Sequence, residues 1–149
     1  MSKILNEIVS ADSPFKNIIS DFRGVRRPWI GSTDDPLYKK YKFNTGIDLY
    51  GSTVYSYANG VVLAVGREGR HYAVTVQYDV FSCIRYTNLE QVSVAQGDII
   101  QTAFQIGRVD KYLHLEYCTK EKSSSMWTVR VGTEVYYKQD PLTMMGGGI

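Results

Sequence analysis

The chain contains two histidines, His71 and His114. Imidazole is the side chain whose unperturbed proton exchange falls near neutral pH, and it is a common metal ligand. His114 sits in Tyr112-Leu113-His114-Leu115-Glu116, and a carboxylate, Asp48, sits in Phe43-Asn44-Thr45-Gly46-Ile47-Asp48-Leu49. A catalytic zinc takes three protein ligands and keeps one position open for water. Asp48, His114 and Tyr112 could hold a weak or different metal. His71 follows Arg70 in a turn and would join only by swinging in. Cys83 and Cys118 are far apart and form no Cys-x-x-Cys pair, so two reduced thiols on buried strands are expected. No Gly-rich phosphate loop, nucleophile elbow or Cys/His pair is present, so no other catalytic class competes.

The two stretches above, with Arg85-Tyr86-Thr87-Asn88-Leu89 between them, resemble the three motifs of the LytM/lysostaphin-type zinc endopeptidases. These enzymes cut peptidoglycan cross-links. Further blocks recur in order: Ser20 to Arg27, Ala58-Asn59-Gly60-Val61-Val62, and Val94-Ala95-Gln96-Gly97-Asp98-Ile99-Ile100. The likeness runs from about Ser20 to Leu142. It implies zinc ligands at Asn44, Asp48 and His114, and two further histidines at the positions of Asn88 and Tyr112. It also implies that Arg23, Tyr86 and Tyr112 line a substrate groove.

Three of those five positions depart from the pattern. Asn44 offers a neutral amide oxygen, a poor donor for zinc. Neither Asn88 nor Tyr112 is a base near neutral pH. A hydrolytic site needs both a proton acceptor and a donor for the developing oxyanion. The resemblance therefore implies a retained scaffold with its chemistry removed: no catalytic residue, no bound zinc and no other cofactor. Three roles follow as expectations. One is a structural part of a bacteriophage tail tip or baseplate, partnered by other virion proteins. Another is a non-catalytic peptidoglycan-binding module or a residual zinc-dependent endopeptidase. The third is a regulator like the inactive LytM-type activators of amidases, disfavoured because heptads and an export signal are lacking.

The elements that must position these residues read as strands. Tyr72, Val74, Val76 and Tyr78 alternate with Ala73, Thr75 and Gln77, a period of two. Val61 to Gly66, Phe81 to Tyr86, Gln105 to Val109, Tyr112 to Cys118, Trp127 to Val131 and Val135 to Tyr137 are apolar or alternating runs of strand length. Turn signals separate them, and Asn59-Gly60 in particular signals a hairpin. Many short strands with no βαβ alternation predict an all-β, mostly antiparallel sandwich or barrel-type domain. A short helix over Ser2 to Ser10 is the one helical expectation, with Ile4, Leu5, Ile8 and Val9 on one face.

Three regions are expected: an N-terminal segment 1–19, the peptidase-like domain 20–142 and a Gly-rich tail 143–149. With 149 residues and 44% hydrophobic residues, the composition is that of one globular domain. The net charge of +2 gives no electrostatic case for nucleic acid. No run approaches the ~18 apolar residues of a membrane span, and the early charges argue against a signal peptide. Synthesis in a bacterial host cytoplasm and residence in the virion are the corresponding expectations. The 12 tyrosines favour strands and contact surfaces.

Overall fold

A computed structural model of the chain describes residues 18–20, 46–121 and 127–141. The expected helix at Ser2 to Ser10, the positions Arg23 and Asn44, and the tail 143–149 lie outside the described residues. Every element within them is a strand: β1 (Ile18–Ser20), β2 (Ile47–Tyr50), β3 (Thr53–Tyr55), β4 (Gly60–Glu68), β5 (His71–Asp79), β6 (Ser82–Val92), β7 (Ile99–Ile100), β8 (Gln105–Thr119), β9 (Thr128–Val131) and β10 (Glu134–Gln139). The all-β expectation is met.

β8 organises the sheet. Its 15 residues run along β6 on one side. On its other side it takes β3, β2 and β10 in succession, at residues 105–108, 112–115 and 117–119. The main path is β1-β2-β8-β6-β5-β4-β7, all antiparallel, and the sheet curls as a half-barrel. Alternation along β6 and β8 gives its two faces different chemistry. Ile84, Tyr86, Leu113 and Leu115 enter the main core with Ile47, Leu49, Val74 and Val76. Fully burying such a side chain contributes about 1.5–3 kcal/mol. The opposite face carries three cross-strand pairs in a row: Cys83 with Cys118, Arg85 with Glu116, and Thr87 with His114.

Two expectations are corrected. Tyr55 and Gly60 do not frame a hairpin, because β3 pairs with β8 rather than β4. Asn59 instead accepts hydrogen bonds from the Thr102 backbone N–H and hydroxyl at 2.8 and 3.2 Å. Gly60 is required by close packing, since a Cβ there would stand 2.4 Å from the Gln77 carbonyl oxygen. Second, the runs 105–109 and 112–118 form one strand, with the exposed Asp110 and Lys111 inside it where the register against β6 shifts.

Candidate functional site: a buried ion-pair network on the polar face

Two pairings bring Asp48 and His114 together. β2 runs antiparallel to β8 with Asp48 directly opposite His114. Gly46, at the entry to β2, makes the approach possible: a Cβ there would stand 2.1 Å from the Leu115 carbonyl oxygen. His114 Nδ1 lies 2.7 Å from Asp48 Oδ1, and its Nε2 lies 3.0 Å from Glu116 Oε2. Glu116 also takes Lys138 Nζ at 2.9 Å and Arg85 Nη1. Arg85 Nη2 reaches on to Glu68. Asp48, Arg85, His114, Glu116 and Lys138 are all buried.

Opposed charges in direct contact offset the cost of burying Glu116, Arg85 and Lys138. Asp48, Glu116 and Glu68 supply three carboxylates, and Arg85 and Lys138 two cations. The His114 ring faces a carboxylate at each nitrogen, and carboxylates only accept. Two protons on the ring, or one on a carboxyl, are needed to make both contacts hydrogen bonds. Burial pushes the Glu116 carboxyl up, but Lys138 and Arg85 outweigh it and hold the group well below the usual carboxylate range. Burial opposes the charge of Arg85, and Glu116 and Glu68 beside it raise its pKa all the same.

Asn88 occupies a bulge, where the β6–β8 register shifts between Thr87 and Leu89, and has φ 67°. The bulge aims its side chain at β8, and Nδ2 donates to the Tyr112 carbonyl at 2.8 Å. Its Oδ1 is buried with no partner among the described residues. Thr87 Oγ1 donates to the His114 carbonyl at 2.9 Å. Asn88, Tyr112, Asp48 and His114 thus gather along one stretch of β8.

The remaining expected residues are placed differently. Tyr86 is 0% exposed and lies in the main core, on the face opposite His114. It does not line a groove: period two along β6 turns it away from Arg85 and Thr87. Its hydroxyl accepts from the Tyr57 N–H at 2.8 Å, and burial pushes its pKa up to about 12. Tyr112 is 2% exposed, so it too offers no open groove wall. His71 begins β5 opposite Glu68, not in a turn, and is no neighbour of Asp48 in the sheet. Sequence reasoning missed Arg85, Glu116, Lys138 and Glu68. Period two was the available signal, since it places Glu116 on the face of His114.

The donors do not fit a zinc ion as they stand. Two ligands on a tetrahedral zinc, each at ~2.0–2.1 Å, stand roughly 3.3 Å apart. Asp48 Oδ1 and His114 Nδ1 are closer than that and share a hydrogen bond. Among the described residues no three His, Cys, Asp or Glu side chains converge as a metal site.

No protein-family model matches the chain, and no curated protein matches it in sequence. Solved structures match it in fold. LytU aligns with a TM-score of 0.61 at 15% identity, over 88% of this chain and 85% of its own. A chain of the SpoIIIAH and SpoIIQ complex gives 0.59 at 19%, over 93% and 97%. Lysostaphin gives 0.56 at 20%, over 76% of this chain. This chain spans 47% of the length of lysostaphin. The fold is that of the LytM/lysostaphin-type (M23) peptidase domains.

Proposed function

We propose that this chain is a non-hydrolytic structural module on a LytM-type fold, a part of a phage tail tip or baseplate held among other virion proteins. The observation that carries the loss of hydrolysis is the direct hydrogen bond between Asp48 and His114 inside a buried network of opposed charges. Asn88 supports the reading, because its amide N–H is spent on the β8 backbone. The assembly role draws on the virion expectation from the sequence. It also draws on the same fold occurring in the SpoIIIAH and SpoIIQ complex.

Two measurements test this. Purified cell walls are incubated with the chain, with and without added zinc; no solubilisation is expected. Clearing that a chelator abolishes would end the non-hydrolytic reading. Particles from an infected host are then analysed by mass spectrometry for the chain. Its absence from purified particles would end the virion assignment while leaving the first conclusion standing.

A further inference from the structure

Cys83 on β6 and Cys118 on β8 are far apart in sequence and direct register partners in the sheet. They are the chain's two cysteines, both free thiols and both without exposed surface. They form one small cluster with Tyr136, and Leu63, Val129 and Val131 pack against it. The next pairs on the same face fix the register. Arg85 is ion-paired with Glu116, and Thr87 Oγ1 donates to the His114 carbonyl.

The ladder sets how close the two sulfurs come. The Lys120 N–H donates to the Phe81 carbonyl at 2.8 Å. Phe81 and Lys120 stand two steps beyond the cysteines on the same ladder, and pair types alternate residue by residue. Cys83 and Cys118 are therefore a hydrogen-bonded pair, with Cα atoms about 5.5 Å apart. A disulfide spans Cα separations of roughly 4.4–6.8 Å. Directly opposed Cβ atoms stand about 4.5–5.5 Å apart, against about 3.8 Å in a disulfide. Closure thus asks for a movement on the order of 1 Å, and the strain it leaves makes the bond easier to reduce.

We propose that Cys83 and Cys118 are the site of a reversible disulfide, which clasps β6 to β8 when the chain meets a small-molecule disulfide such as oxidised glutathione. One cysteine thiolate attacks the small disulfide, forms a mixed disulfide and releases one small thiolate. The second cysteine thiolate attacks the protein sulfur of that mixed disulfide and releases the other. The cysteines give up two protons and two electrons, and two small thiols carry them away. Burial decides when this happens: the oxidant reaches the pair only as the chain folds, or when this end of β6 and β8 opens. Once made, the bond ties together the ends of a segment that carries Asn88, Tyr112, His114 and Glu116. The inference does not depend on whether the chain hydrolyses anything.

The test equilibrates the full wild-type chain with mixtures of oxidised and reduced glutathione. One series is in subdenaturing urea, which speeds opening, and one in urea that unfolds the chain. Acid-quenched species are counted by mass spectrometry. The expected product is lighter than the dithiol chain by two hydrogens, maps to a Cys83–Cys118 peptide pair and reverts with dithiothreitol. Fold and bond stabilise each other, so its equilibrium constant should be at least about tenfold larger in the folded chain than in the unfolded one. The thermal midpoint should rise on oxidation and return on reduction. A constant no larger in the folded chain overturns the proposal. So do glutathione adducts that never resolve into the bond, or disulfides formed only between chains.

Discussion

His114 Nδ1 stands 2.7 Å from Asp48 Oδ1, and the two residues are direct register partners across β2 and β8. Register alone therefore delivers the contact, and Gly46 allows the strands to approach closely enough to make it. Glu116 lies two residues on along β8 and holds the other ring nitrogen from the same face. The imidazole is thus fixed between two carboxylates, where a metal ligand would direct one nitrogen at the ion.

Zinc content follows from that contact. Protein purified without chelator is expected to hold far less than one zinc per chain by elemental analysis. A zinc ion would have to break the Asp48–His114 hydrogen bond and then find a third ligand. Stoichiometric zinc, lost in Asp48→Ala or His114→Ala, would contradict the geometry.

Glu116 is where the network is most vulnerable. Glu116→Gln keeps the shape and removes a charge facing Lys138, Arg85 and His114. Breaking a buried pair from one side costs about 3–5 kcal/mol, because the partner charge stays buried. Urea unfolding should show a loss of that size. Joint replacement of Arg85, Glu116 and Lys138 by Met or Leu should cost less than the single change. A single variant as stable as the wild type would mean that the network is not as closed as its distances indicate.

Acid should act through the same residue. The folded-state pKa of Glu116 is held well below its ordinary value of 4.5. A depressed carboxylate contributes stability above its unfolded pKa and loses it as pH falls toward the folded one. Thermal midpoints should therefore hold near neutral pH and fall below about pH 4.5. In the joint Met/Leu variant this part of the fall should be absent. A wild-type midpoint that is flat down to pH 3 would refute the linkage.

Much of this was legible in the residues, and what was not has a physical cause. Period two in 72–78 announced β5, and turn signals placed most strand ends. Asn59-Gly60 misled because a local hairpin signal cannot see β8, which supplies a longer partner for β3 than β4 does. Asp48 and His114 came from motif order. Their partners Arg85, Glu116 and Lys138 lie on three strands joined only by long-range pairing. A single charge inside an apolar run announces a partner without naming it. Tyr86 was misplaced because motif membership says nothing about which face of a strand a residue takes.

Cys83 and Cys118 are cross-strand partners with no exposed surface. Burial, then the neighbouring Cys83 thiol, pushes Cys118 well above the usual thiol range. Reaction requires an accessible thiolate, so Cys118, raised and buried, and Cys83, with no exposed surface, should resist a thiol reagent at pH 8 in the folded chain. Both should react once urea unfolds it. Rapid labelling of the native protein would show that β6 and β8 open locally at this end.

The last expectation concerns restoring chemistry. By the family resemblance, Asn44→His would offer one imidazole to Asp48 and His114, which are engaged with each other. It should raise zinc affinity measurably, because a metal then has three candidate ligands and can compete for the shared proton. It should not restore wall hydrolysis. Asn88 still donates to the Tyr112 carbonyl, and Tyr112 is still buried, so no base faces a bound water. Adding Asn88→His removes the hydrogen bond that ties the bulge to β8. That loss of a buried partner should cost stability of about 1–3 kcal/mol before any gain in rate. Only if Glu116 is also replaced is His114 released from its second carboxylate. The series is read by zinc stoichiometry, thermal midpoint and wall solubilisation together. Turnover appearing in Asn44→His alone would show that the ion-pair network is a resting arrangement of a working site.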